Sequence, residues 1–427
     1  LKINLNPWSY LFITFALLIF AGTIFLKLPF VEHSGGLSFI DALFTSTSAV
    51  CVTGLIVVDT GEFNLWGQII ILILIQIGAI GIMILTSSLL LFIRGELKLS
   101  HKFLVAKITD SFSIKEAERV LIVVIIYTFF IEFLGFIFLS LGFFLNGFDL
   151  GDSLYFGLFH SISAFCNAGF STFAGSLTDS NAIIKIVTIF LIVLGGLGFF
   201  VVYNISEFIN KRERIKVHTK IVLYTTFYLI IGGWILIYLL EKGDISFLDS
   251  LFHSVTARTA GFNTVDMNSF HVVSLFFTVV LMIIGASPGS TGGGIKTTTF
   301  FIALASMYNV LKGRKRVVIF KRTVPYINIL KAYALITFYI FFLVICTMLL
   351  LYTSEFNFMD TLFEVASALG TVGLSLGITG QLDYMGKIII IICMFLGRLG
   401  PATLMMMLIM KEKTSKISYP EEKIILG

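Results

Sequence analysis

Long apolar runs separated by polar or glycine-containing intervals set the rhythm of this chain. A helix crossing the ~30 Å hydrocarbon core of a membrane needs about 20 mostly apolar residues. Runs of that kind occupy residues 9–28, 67–92, 121–145, 182–208, 221–240, 271–286, 329–352 and 386–410, which predicts eight spans. No small-residue cleavage site follows the first run, so it reads as a span and not as a cleavable signal peptide. The sixth run is short and passes into a polar, glycine-rich segment before apolar character resumes at Phe300.

Four of the intervals, near residues 29–66, 146–181, 241–270 and 353–385, each hold a further apolar segment of about a dozen residues. These are too short to cross and suit re-entrant helices. They open alike, at Asp41, Asp152, Asp249 and Asp360, where a carboxylate can cap free N–H groups and favours the positive end of the helix dipole. Each is followed by a polar stretch containing Gly. The repeating unit is span, short helix, glycine loop, span, and it occurs four times. The expected fold is an all-α polytopic membrane protein, with four pseudo-symmetric span–pore helix–span repeats around one central pore. The units are residues 1–94, 120–210, 219–312 and 329–411, with a tail at 412–427.

Composition agrees with that pattern and removes the alternatives. Hydrophobic residues make up 57% of the 427 and charged residues only 13%, against roughly 25% charged in soluble proteins. Disordered chains and secreted disulfide scaffolds are excluded by the same figures. Of the 30 Lys and Arg residues, 23 fall at Lys2 and in residues 94–119, 211–220, 312–331 and 411–423. The positive-inside rule places these segments in the cytoplasm. An even number of spans requires the same of both termini.

Side by side, the four loops are residues 49–55, 164–170, 256–262 and 368–374. Their inner residues are Cys51, Val52, Thr53 and Gly54; Cys166, Asn167, Ala168 and Gly169; Arg258, Thr259, Ala260 and Gly261; and Gly370, Thr371, Val372 and Gly373. Thr371, Val372 and Gly373 repeat the start of the potassium-channel filter sequence TVGYG. Non-helical backbone at membrane depth survives only where protein buries it or it lines a water-filled path. Four such loops on one axis would present carbonyl rings that replace a cation's hydration shell. The sequence offers no ring of acidic side chains, so a monovalent ion fits better than a divalent one. Glycine is also common in membrane helices for packing alone, but that does not explain four copies in the same context.

The segment 285–299 is the candidate gate, with Gly289, Gly292, Gly293, Gly294 and Lys296 as its key residues. A P-loop is rejected because Ile295 separates Gly294 from Lys296 and no soluble strand precedes it. A kink at Pro288 would not call for five glycines between residues 285 and 294. A flexible intramembrane loop below the filter accounts for them. Arg398, inside the last span, is a functional candidate because an intramembrane Arg is costly. Near the axis its charge would oppose cation passage; the alternative is snorkelling to the cytoplasmic interface. Arg258 reads as a structural brace behind the filter. Glu132 is either pore-adjacent or a buried, paired carboxylate, with the second favoured. His160 and His253 read as scaffold, and the four cysteines have no metal-ligand spacing. No nucleophile and base stand at motif spacing, so an enzyme is not expected.

On these loops, the 285–299 segment, the Gly-Arg-Leu-Gly-Pro run at 397–401 and the Tyr-Pro pair at 419–420, the chain resembles the superfamily of Trk, Ktr and HKT potassium transporters. It is most similar to the bacterial Ktr-type (KtrB-like) membrane subunit, since it lacks the two extra N-terminal spans usual in Trk-type subunits. The resemblance implies a potassium ion as cargo, because Gly54 holds the first-loop position where sodium-selective plant members carry Ser. It further implies an intramembrane gating loop, with Arg398 facing the pore beside it. It implies a homodimer on a cytoplasmic ring of nucleotide-binding RCK subunits, with Na+ as a possible activator and no covalent cofactor. The location would be the bacterial cell membrane, among membrane lipid, with no nucleic-acid partner. The rivals are a sodium-selective or sodium-coupled carrier with a midplane site, the ion-translocating subunit of a potassium-pumping ATPase, and, from another class, a membrane-embedded enzyme. Gly54→Ser is expected to favour sodium over potassium in uptake by a transport-deficient cell; identical selectivity would break the first-loop assignment.

Overall fold

The computed structural model describes residues 7–31, 36–81 and 114–408. Within them lie fourteen α-helices and one two-stranded hairpin. In chain order the helices are α1 (Pro7–Leu26), α2 (Phe39–Cys51), α3 (Leu65–Ile80), α4 (Ile114–Leu145), α5 (Leu150–Phe165), α6 (Ala182–Gly196) and α7 (Phe199–Lys211). They continue with α8 (Val217–Leu240), α9 (Phe247–Thr256), α10 (Val272–Ile283), α11 (Thr297–Leu311), α12 (Tyr326–Thr353), α13 (Phe358–Gly370) and α14 (Tyr384–Leu408). The hairpin, β1 (Val318–Ile319) and β2 (Arg322–Thr323), joins α11 to α12. The basic segments expected at 94–119 and 411–423, the end of the second predicted span, Lys2 and the Tyr-Pro pair lie wholly or mostly outside the described residues.

The architecture is that of a membrane protein turned partly inside out. Long helices expose an apolar face at helical spacing, as Ile126, Phe129, Phe130, Phe133, Ile137 and Leu141 do on α4. The short helices are enclosed instead, and their interiors are rich in hydroxyls: Thr45, Ser46, Thr47 and Ser48 of α2 are all buried. Three long segments, Ile122–Leu145, Val217–Leu240 and Tyr326–Thr353, are long and apolar enough to cross a membrane.

The short helices dock by a recurring device. Ser46 donates to the Ile19 carbonyl at 2.7 Å, Ser161 to that of Glu132 at 2.5 Å, and Ser254 to that of Ile230 at 2.9 Å. In each case the residue three positions on in the long helix is a glycine, Gly22, Gly135 or Gly233, with the serine hydroxyl lying over it. A hydroxyl in an apolar medium needs a partner, and a small residue beneath it lets the helices approach.

Two expectations need correction. The leading aspartates are not the caps. Ser38 and Ser246 cap α2 and α9, accepting from the backbone N–H of Asp41 and Asp249 and donating to the carboxylates at 2.6 Å. Asp149, not Asp152, caps α5, and Asn357 occupies the cap position of α13. The aspartates stand three residues inside, as in a capping box. Two of them also tie neighbouring units together, Asp249 to Lys185 and Asp41 to Lys387, both at 2.7 Å.

The second correction concerns the run at 182–208, which is not one straight helix. It breaks between α6 and α7, and the two halves bend by 91°. At the break Gly198 has φ +87°, and the carbonyl of Pro288 lies against it. Hydropathy cannot register such a break, because both halves are apolar. Gly198→Ala should cost about 1–3 kcal/mol, since it puts a side chain in a left-handed conformation and pushes it at Pro288. Gly232→Ala, in the open interior of α8, should be neutral or slightly stabilising. Thermal unfolding midpoints in detergent check both, and equal midpoints would refute the account of the break.

Candidate functional site

The four glycine loops follow directly from the C-termini of α2, α5, α9 and α13, and the structure brings all four together. Each repeats one backbone pattern. A residue with left-handed φ (Val52 +55°, Asn167 +58°, Thr259 +76°, Thr371 +49°) is followed two positions later by a glycine with positive φ (Gly54 +90°, Gly169 +70°, Gly261 +79°, Gly373 +95°). The glycines close a ring. A methyl group on Gly54 would lie 3.1 Å from the Cα of Gly169; on Gly169, 3.0 Å from that of Gly261; on Gly261, 3.0 Å from that of Gly373; and on Gly373, 3.1 Å from that of Gly54. Each such methyl would also meet the carbonyl oxygen of the next loop, that of Ala168, Ala260, Val372 or Thr53 in turn. Glycine is needed here for the conformation and for the close approach.

Loop backbone at this depth has no water to bind on its outer side, so it needs other partners. Helix ends supply the first. Thr53 N–H donates to the Ser48 carbonyl and Val372 N–H to that of Ser367, both at 2.8 Å. Hydroxyls supply the next. Ser48 and Ser367 accept from the N–H groups of Gly54 and Gly373 at 3.0 Å, while Ser163 and Thr256 donate to the carbonyls of Phe170 (2.7 Å) and Phe262 (2.9 Å). Sequence reasoning passed over these four hydroxyls. The signal was present, a Ser or Thr at or just before the first residue of every loop.

Cys51 and Gly370 are still helical, at the last turns of α2 and α13. Cys166 is buried, and its thiol faces the Gln76 amide oxygen at 3.4 Å and the Glu132 carboxylate at 3.8 Å. Glu132 also accepts from the Gln76 amide at 2.9 Å, so it is the buried, partnered carboxylate of the second reading. Arg258 is buried in the third loop and donates to the Gly285 carbonyl at 3.4 Å, which ties that loop to the glycine segment. His160 and His253 are buried and hydrogen-bonded, to Ser171 at 3.0 Å and Thr278 at 2.9 Å.

The candidate gate spans residues 284–296, because Thr297 onward is already helical in α11. It lies against the loop ring: Gly292 abuts the Thr259 side chain and Gly293 that of Thr371. It also fills the break between α6 and α7. Ser287 N–H donates to the Gly196 carbonyl (3.2 Å), and Phe199 N–H donates to the Gly289 carbonyl (2.9 Å). Inside the segment Gly285 and Ile295 are joined at 3.1 Å, with Gly294 at positive φ. Two cations hold it. Lys296 donates to the Gly292 carbonyl at 2.6 Å, and Arg398 donates to the Thr291 carbonyl and, at 2.5 Å, to that of Gly78 near the end of α3. Two residues past Arg398, Gly400 interrupts α14 with φ +75°.

The family model described as cation transport protein (TrkH) matches residues 10–418. The chain is 39% identical to the Ktr system potassium uptake protein B of Vibrio alginolyticus, over 95% of this chain and 91% of that protein. It is 36% identical to the protein of the same name in Bacillus subtilis, over 100% and 98%. It is 35% identical to the potassium/sodium uptake protein NtpJ of Enterococcus hirae, over 99% and 98%. The fold is similar to the crystal structure of the potassium transporter TrkH from Vibrio parahaemolyticus, with a TM-score of 0.74 and 21% identity over 95% of this chain and 86% of that one.

Ser48→Ala and Ser367→Ala each remove a hydroxyl from a buried glycine N–H and should cost about 1–3 kcal/mol. The thermal midpoint in detergent should fall for each. Midpoints equal to that of wild type would show that these hydroxyls do not support the loops.

Proposed function

The chain belongs to the TrkH family of cation transport proteins, and from that membership we propose that it is the ion-translocating membrane subunit of a Ktr-type potassium uptake system. The observation that carries this reading is the closed ring of four glycines, each with a left-handed residue two positions earlier. Alternating left- and right-handed residues turn successive peptide carbonyls toward the same side. Four strands of this kind meeting at one axis are suited to replace the hydration shell of a monovalent cation. Potassium is the cargo in the names of the Ktr relatives, and both potassium and sodium in that of NtpJ; Gly54 in the first loop favours potassium here. Since a side chain at that position meets the Ala168 carbonyl, a Ser there must displace the neighbouring loop, which links this one residue to the geometry of the whole ring.

The segment 284–296 is the proposed gate. Lys296 and Arg398 hold its carbonyls directly beside the ring, and both place positive charge on the cytoplasmic approach to it. The fourfold plan with units at 1–94, 120–210, 219–312 and 329–411, both termini and the tail at 412–427 in the cytoplasm, a homodimer, an RCK ring beneath it and Na+ as activator complete the proposal. These last elements rest on the charge pattern and on the family resemblance. A transport role in a bacterial membrane is consistent with the exposed apolar faces of α4, α8 and α12.

Potassium uptake in a transport-deficient cell tests the reading. Wild type should take up potassium with rubidium competing, as a carbonyl filter requires. A hydrogen bond to a charged donor contributes about 1.5–3 kcal/mol, so Arg398→Ala should raise flux or loosen its regulation by roughly tenfold or more. Uptake indifferent to excess rubidium would sink the filter, and unchanged kinetics in Arg398→Ala would sink the gate assignment.

A further inference from the structure

The hairpin between α11 and α12 carries a cluster of cations that neither the filter nor the gate uses. Arg314, Lys315, Arg316, Lys321 and Arg322 are all exposed, and no Asp or Glu occurs anywhere between Asp266 and Glu355. Among the described residues none of the five makes an ion pair with a carboxylate; Arg314 alone has a side-chain hydrogen bond, to the Asn309 amide oxygen at 3.4 Å. Positive-inside topology by itself asks only for cations on this side. It does not ask for them to be gathered on a paired hairpin, and here they are.

Val317 and Ile319 of the hairpin are buried with Ile221 of α8 and Ile329 of α12. The strands pair Val318 with Thr323 and Ile319 with Arg322, and Val324 N–H donates to the Val317 carbonyl at 2.9 Å. The two turn residues are Phe320 at φ +46° and Lys321 at φ +60°. A two-residue turn with both φ values positive normally takes Asn-Gly or Asp-Gly. Phe and Lys are strained there, and strain of this kind clusters at functional sites. The turn lays Phe320 on Tyr224 at 5.4 Å between centroids, with the Lys220 ammonium 5.9 Å from the Phe320 ring centroid.

The cluster is also bordered by exposed apolar residues. The apolar helix α12 begins at Tyr326, three residues after β2 ends, with Tyr326 and Ile327 largely exposed. On the other side, Val310 and Leu311 end α11 exposed, immediately before the basic run. Fixed cations bordered by exposed Tyr, Ile, Val and Leu match the headgroup level of a bilayer, where Lys and Arg meet phosphates and aromatic rings settle at the interface. A soluble acidic partner would account for the charge but not for the apolar border.

We propose that the 314–322 hairpin is a binding site for anionic phospholipid headgroups of the cytoplasmic leaflet, built to hold the bases of α8, α11 and α12 against the membrane surface. The proposal rests on the membrane-spanning reading but not on the identity of the transported ion. The test places the full chain in nanodiscs of phosphatidylcholine mixed with phosphatidylglycerol and counts retained lipids by native mass spectrometry. Wild type should retain phosphatidylglycerol preferentially, in the presence of inorganic phosphate as well as without it. The charge-neutralised variant, with Gln at all five positions, should lose that preference several-fold. A second variant, Phe320→Asn with Lys321→Gly, relieves the turn. It should raise the thermal midpoint while weakening lipid retention, a combination that a merely structural hairpin would not give. Equal retention by wild type and the Gln variant would overturn the proposal. So would displacement of the lipid by inorganic phosphate, or capture of an acidic soluble protein with no lipid preference. Because retention is read without ion flux, loss of transport in any variant leaves the result intact.

Discussion

Irregular backbone inside a membrane must find its hydrogen bonds within the protein, and most of this structure can be derived from that demand. Four short helices each end in a buried loop whose peptide groups need partners. The partners are the carbonyls of the preceding helical turn and the hydroxyls of Ser48, Ser163, Thr256 and Ser367. With those in place the loops can meet glycine to glycine at the centre. The long helices then need only to enclose the short ones, which explains why the serines and threonines of α2 are buried while Phe129, Phe130 and Phe133 of α4 face outward.

The same demand couples two interruptions that are far apart in the sequence. α6 ends in the middle of a predicted span and would leave carbonyls and N–H groups unpaired. The segment after α10 leaves its own. They satisfy each other, through Ser287 to Gly196 and Phe199 to Gly289. In the proposed gate, residues 284–296 therefore cannot leave the ring without uncapping α6 and α7. Lys296 and Arg398 add a second restraint, since both are spent on the segment's carbonyls.

Much of the candidate site was legible in the sequence, and for definite reasons. Glycine after a small or β-branched residue, repeated behind four short apolar helices, is a local pattern tied to a backbone requirement, so the four loops named from it are the ones the structure brings together. Arg398 and the glycine segment stood out because an intramembrane cation and five clustered glycines are both costly without a purpose. The break at Gly198 did not stand out, because apolar residues continue through it. The caps were misassigned by three positions, since Ser38 and Asp41 both have the chemistry of a cap and only geometry says which accepts the N–H. The lattice of serines over glycines was invisible for another reason: Ser46 and Gly22 belong to different helices, and no local pattern joins them.

By itself, then, the sequence determined the kind of the elements: long apolar helices, four short helices with their glycine loops, and basic residues gathered in a few segments. These are set by transfer free energy and backbone conformation, which act residue by residue along the chain. Tertiary structure alone decided that the four glycines touch in a closed ring, that Arg398 reaches across to Thr291 and Gly78, and that α6 stops where the glycine segment begins to support it. Those outcomes depend on which buried donor meets which buried acceptor, and a chain written in one dimension does not say what lies opposite a given residue in space.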